Sequence, residues 1–142
     1  KEYEAHLVAE GLRKMATILY LCINGELKPE SILFWDEPES NMNPTLISII
    51  ADLLLELAKK YNVQIFVSTH DYLLSHKLSM MAEYAPEESP EIRFFSLYKT
   101  EHKIETEVAD KLIDVNHNPI LKEYSAFFDL ENEYMNRHNE RV

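Results

Sequence analysis

The stretch ILFWDEPESNMNP, Ile32 to Pro44, decides how this chain is read. Four large apolar residues run without interruption into two adjacent carboxylates, Asp36 and Glu37. A run that does not alternate suits a strand covered on both faces rather than a half-exposed one. Unpaired carboxylates are expensive to bury, so this strand must deliver them to solvent, to a partner group or to a metal. In parallel α/β sheets the carboxyl end of a strand is where ligands gather. Taken alone, the dipeptide reads more simply as a strand running out into an acidic loop.

The flanking sequence supplies the elements. From Tyr3 to about Asn24, apolar residues at Leu7, Val8, Leu12, Met15, Ile18, Leu19 and Leu21 keep close to helical spacing, and Gly25 and Pro29 mark the loop beyond. Pro44 suits the first turn of a second helix, with Leu46, Ile49, Ile50, Leu53, Leu54, Leu57 and Ala58 on one face up to Asn62. VQIFVSTH, Val63 to His70, is a second apolar, β-branched run that ends in polar residues. Strand, helix and strand with short connections predict a right-handed crossover between parallel strands. A third helix is expected from Asp71 to about Ala82, then strands near Ile92–Tyr98 and Lys103–Val108. A final helix should run to about Arg137 after a break at Asn116, Asn118 and Pro119.

Composition narrows the function. A chain of 142 residues can bury one real core, and 46% apolar residues is ordinary for a globular protein. No apolar run reaches the roughly 18 to 20 residues that cross a bilayer, so a cytoplasmic protein is expected. The one cysteine, Cys22, can form no internal disulfide and reads as a reduced core thiol. A net charge of −11 argues against direct nucleic-acid binding by this segment, without excluding a nucleic-acid-acting protein whose basic surface lies elsewhere. His6, His76, His102, His117 and His138 lack metal-ligand spacing and read as surface residues. Tyr124, Phe127, Phe128 and Tyr134 fall on one helix face and are expected to pack.

If the two strands are parallel neighbours, their carboxyl ends bring Asp36 and Glu37 close to Ser68, Thr69 and His70. The Glu37 or Asp36 carboxylate is then expected within about 10 Å of the His70 ring, given strands roughly 5 Å apart. Two carboxylates and an imidazole at one sheet edge can hold a hydrated Mg²⁺ and orient an attacking water.

SILFWDEPESNMNP, followed after one helix by IFVSTHD, resembles the Walker B, D-loop and switch-histidine segments of ABC-type P-loop ATPases. The likeness is to the soluble SMC/RecF-like branch, also grouped as AAA family ATP-binding proteins, rather than to membrane transporters. The resemblance implies an α/β fold: part of an ABC-type sheet of mainly parallel strands flanked by helices, with a C-terminal hairpin and helices. It divides the chain into a signature-like region at 8–24, Walker B and D-loop at 31–44, a switch-histidine segment at 63–71, and C-terminal strands and helices at 92–137. By the same resemblance Asp36 supports Mg²⁺, Glu37 is the catalytic base, and His70 senses the γ-phosphate. Ser40, Asn41 and Asn43 lie in the D-loop. AEGLRKM occupies the place of the signature, so Glu10, Gly11, Leu12 and Arg13 are implied to meet ATP held by an opposite subunit. Gly11 is therefore expected well away from its own Walker B, on a face open to that partner. Glu39 reads as mere decoration of the turn.

Three departures qualify the likeness. Ala9 replaces the usual signature Ser, Asn43 stands where the D-loop often has Asp or His, and no G-x-x-x-x-G-K-[ST] occurs anywhere in the chain. The implied protein is thus the C-terminal half of an ATPase domain, completed by an N-terminal Walker A lobe and working as an ATP-sandwich homodimer with ATP and Mg²⁺. By itself the chain is expected to be inactive. The alternatives are an ATPase lobe driving a nuclease-linked or phage-defence effector, or a catalytically silent interaction module that keeps the fold.

Overall fold

A computed structural model describes residues 10–139. The beginning of the first expected helix, with Val8 and the signature position Ala9, lies outside the described residues. The chain divides into two compact units, Lys1–Ile92 and Arg93–Val142.

In the first unit, helix α1 (Glu10–Ile23) ends at a turn where Gly25 takes the left-handed φ of 71° that suits glycine. Strand β1 (Ile32–Asp36) leads to helix α2 (Pro44–Tyr61), strand β2 (Gln64–Ser68) and helix α3 (Tyr72–Tyr84). The helix ends follow from local chemistry. Asn43 is extended, and its side-chain oxygen accepts the Leu46 N–H at 3.0 Å. Pro44 then occupies a first-turn position where no donor is needed, and Asn62 closes α2 in the left-handed region at φ 52°. Asp71 caps α3 in the same manner, accepting the Leu74 N–H at 2.8 Å.

The two strands pair in parallel, in register from Ile32 opposite Gln64 to Asp36 opposite Ser68. The i, i+3, i+4 stripe of α2 supplies Ile47, Ile50, Ala51 and Leu54, which with Leu74 of α3 make the buried core. Trp35, Ile65 and Val67 pack against it from one face of the sheet. The opposite face corrects the expectation of a strand buried on both sides. There Phe34 stacks on Phe66 at 4.8 Å, yet Phe34 stays 74% exposed and Ile32 and Phe66 are exposed as well. The described helices of this unit pack on one face of the sheet, so within it the unbroken apolar run is half used.

The second unit is an antiparallel hairpin, β3 (Phe94–Lys99) and β4 (Ile104–Ala109), followed by a 3₁₀ turn (Leu112–Asp114) and helix α4 (Pro119–Asn139). Asn118 caps α4 through the Ile120 and Leu121 N–H groups. Glu107 tethers the hairpin to the following loop, accepting N–H bonds from Asn116 and His117 at 2.9 Å each. Those donors favour the carboxylate and hold its pKa down at about 2. Tyr124, Phe127, Phe128 and Tyr134 of α4 are exposed, against the expectation that they pack.

Two outcomes test this description. Ile50→Ala should lower the unfolding free energy by about 2 to 5 kcal/mol, because the site is fully enclosed. Ile49→Ala, on the exposed side of the same helix, should cost about 0.5 kcal/mol or less. Equal losses in urea unfolding would show that α2 faces the core differently. Separately, a folded-state pKa held below the ordinary value means that the tether's stabilisation is present above the unfolded pKa and is lost as pH falls through about 2. Carboxyl NMR should therefore place the Glu107 midpoint near that value, and a midpoint at the ordinary glutamate position would refute the tether.

Candidate functional site at the carboxyl edge of the parallel strands

The last rung of the parallel ladder joins Asp36 to Ser68, and the site grows from it. The Ser68 hydroxyl donates to Asp36 Oδ1. One residue on, the chain turns sharply: Glu37 has φ +43°, a left-handed conformation that non-glycine residues adopt at a cost of about 1 to 3 kcal/mol. Such a residue persists only where its surroundings over-determine it, and here they do. The Glu37 N–H donates to the Ser68 carbonyl at 2.9 Å, and the Glu37 carbonyl accepts the Ser40 N–H at 3.1 Å. The Lys14 ammonium of α1 donates to the same carbonyl at 2.7 Å and also to Ser40 Oγ.

This turn aims the Glu37 carboxylate back across the sheet edge, where its Oε1 lies 2.9 Å from His70 Nδ1. The expected approach of the two strand ends is present, and at hydrogen-bonding distance. His70 is largely exposed and Glu37 partly so, and the pair adds little to stability. Its significance is geometric: a proton acceptor and an imidazole meet at the open end of two parallel strands. A cleft of about 500 Å³ opens beside them, with Ser40, Asn41, Met42 and Asp71 among its walls.

Glu39 is not surface decoration. It is 5% exposed, and its Oε1 accepts the Thr69 hydroxyl. Its Oε2 is buried with no partner among the described residues. Thr69 in turn accepts the Asp71 N–H at 3.0 Å, so the Ser68–Asp71 turn that carries His70 is pinned from both sides.

The remaining expected site residues gather around the same turn. Glu10 accepts from the Asn41 side-chain amide at 2.7 Å. Asn43 is engaged as the cap of α2, and Ser40 is held by Lys14. Leu12 and Arg13 are exposed. Gly11 departs from expectation: it is buried rather than on an open face, and a Cβ there would come within 2.8 Å of Met42 Cγ and 3.4 Å of the Asn41 carbonyl oxygen. Its physical requirement is close packing of α1 on the 37–43 turn. The roles of Lys14, Glu39 and Thr69 in holding the turn were not legible in the sequence, since their contacts join positions 23 to 30 residues apart and leave no local pattern.

The donor set suits a Mg²⁺–nucleotide. Mg²⁺ is usually held by one or two carboxylates together with phosphates and water, rather than by an all-protein cage. Asp36 is exposed at the strand end, and no cluster of three metal-ligating side chains occurs among the described residues. Nor is any described helix long and apolar enough to cross a membrane.

Fold and site together define part of an ABC/SMC-like P-loop ATPase domain. The chain belongs to the family described as "AAA domain, putative AbiEii toxin, Type IV TA system", which matches residues 1–75, just over half of its length. It is similar to the lipoprotein-releasing system ATP-binding protein LolD of Rickettsia conorii, at 37% identity over 54 residues, and to that of Rickettsia prowazekii at 35%. Each match spans 38% of this chain but only 24% of the relative. A solved SMC ATPase structure, from work on ATP-driven dimerization and DNA-stimulated activation, shares the fold with a TM-score of 0.53 at 12% identity. That likeness covers 89% of this chain and 63% of the SMC chain.

Thr69→Val should destabilise the protein by about 1 to 3 kcal/mol for each buried polar group it strands, since Glu39 loses its donor and the Asp71 N–H its acceptor. Thr69→Ser should recover most of the loss in urea unfolding. Equal stability of the valine and serine variants would contradict the pinning described above.

Proposed function

We propose that this chain is the ATP-hydrolysing lobe of an ABC-type ATPase, completed by a Walker A lobe outside this chain and acting as an ATP-sandwich homodimer. The observation that carries the reading is the Glu37–His70 pair, 2.9 Å apart at the carboxyl ends of two paired parallel strands. Asp36 is the Walker B carboxylate that would hold Mg²⁺, and Ser68 orients it through its hydroxyl. Bound Mg²⁺–ATP would supply the phosphoryl group to be transferred. Glu37 accepts the proton of the attacking water, and His70, now bonded to Glu37, is placed to donate to the γ-phosphate.

Residues 40–43 are the D-loop in this reading. Glu10, Gly11, Ser40, Asn41 and Asn43 set its shape within one chain, and exposed Leu12 and Arg13 are the α1 residues available to nucleotide on the opposite subunit. The exposed face of Ile32, Phe34 and Phe66 is where the Walker A lobe would cover the sheet. The description of an SMC relative as dimerising on ATP supports the sandwich. The toxin named in the family description favours, as a second reading, an ATPase lobe that drives an effector.

In the intact protein, Glu37→Gln should slow hydrolysis by roughly 10² to 10⁴, the range for losing a general base, with ATP still bound. Asp36→Asn should instead weaken Mg²⁺-dependent binding. An unchanged rate in Glu37→Gln, or loss of ATP binding there, would overturn the assignment.

A further inference from the structure

Within the proposed ATPase, and resting on that reading, we infer that Lys14 is a positioning residue for hydrolysis, holding Glu37 in the left-handed backbone that aims its carboxylate. The signature likeness assigns the residues just before it, Glu10 to Arg13, to nucleotide. It gives Lys14 no role. The structure turns Lys14 inward, where its half-buried ammonium donates to the Glu37 carbonyl at 2.7 Å and to Ser40 Oγ.

The geometry singles this contact out from the others that hold Glu37. The Ser40 N–H belongs to the turn itself, and the Ser68 carbonyl to the neighbouring strand. Lys14 alone brings a charge, and it comes from a different element, 23 residues away in sequence. A cation-to-carbonyl bond is stronger than a neutral one. One ammonium bonded to both ends of the Glu37–Ser40 turn fixes the direction in which the chain leaves β1. Gly11, one helical turn earlier, lets α1 approach closely enough for this reach: any side chain there would strike Met42. Lys14 commits two of its three ammonium donors to the turn. It acts through the orientation of Glu37.

A positioning role and a merely structural one part company in a double-mutant cycle. In the intact protein, Lys14→Met should lower kcat for ATP about 10- to 100-fold, with KM changed less than about twofold, because only the general base is misaimed. Lys14→Arg, which keeps the charge and several donors, should restore most of the rate. In a Glu37→Gln background, measured by single-turnover hydrolysis, Lys14→Met should cost little more, since the group it positions is already gone. An equal fold-loss in both backgrounds, or an unchanged kcat in Lys14→Met, overturns the inference. Should Lys14→Met not fold, Ser40→Ala carries the same cycle, with a smaller loss expected and the same non-additivity. A Glu37→Gln protein hydrolysing at the wild-type rate would instead refute the ATPase reading itself, and the role of Lys14 with it.

Discussion

A carboxylate can face an imidazole across the end of a parallel sheet only if the chain turns sharply as it leaves the strand. Here Glu37 makes that turn at φ +43°, a conformation its own side chain disfavours. Beyond the Ser40 N–H within the turn itself, what lets it persist comes from elsewhere in the fold. Parallel pairing supplies the Ser68 carbonyl, and α1 supplies Lys14. The local cost is therefore met by tertiary structure, as is common where a backbone is held for chemistry rather than for stability.

The same turn carries a second local expense in Glu39. A buried carboxylate with one oxygen bonded to Thr69 and the other without a partner among the described residues is a poor stabiliser. What it provides is a link. Glu39 sits two residues after Glu37, and Thr69 one residue before His70, so the two turns that bear the facing side chains are tied beneath them. The links then form a chain from α1 through Lys14 to the 37–40 turn, and from that turn through Glu39 and Thr69 to the cap of α3 at Asp71.

Much of this was legible in the sequence because its causes are local. Apolar runs at Ile32–Trp35 and Ile65–Val67 gave the strands, the stripe of α2 its core face, and Pro44 and Asn62 its ends. The meeting of Glu37 with His70 follows from topology once the strands are parallel. The burial of Glu39, the inward turn of Lys14 and the packing of Gly11 on Met42 depend on contacts across 23 to 31 residues, and no periodicity reports those. Phe34 failed in the other direction. Its apolar character is real, but the helices described in its own unit pack on the opposite face of the sheet.

The most direct test of the account is a structure of the intact protein with Mg²⁺ and a non-hydrolysable ATP analogue. The account requires Asp36 in the coordination sphere of the cation or one water from it, the His70 ring within hydrogen-bond reach of the γ-phosphate, and the Glu37 carboxylate facing the in-line water. Nucleotide bound away from the carboxyl edge of β1 and β2, with Glu37 and His70 still paired only to each other, would contradict it.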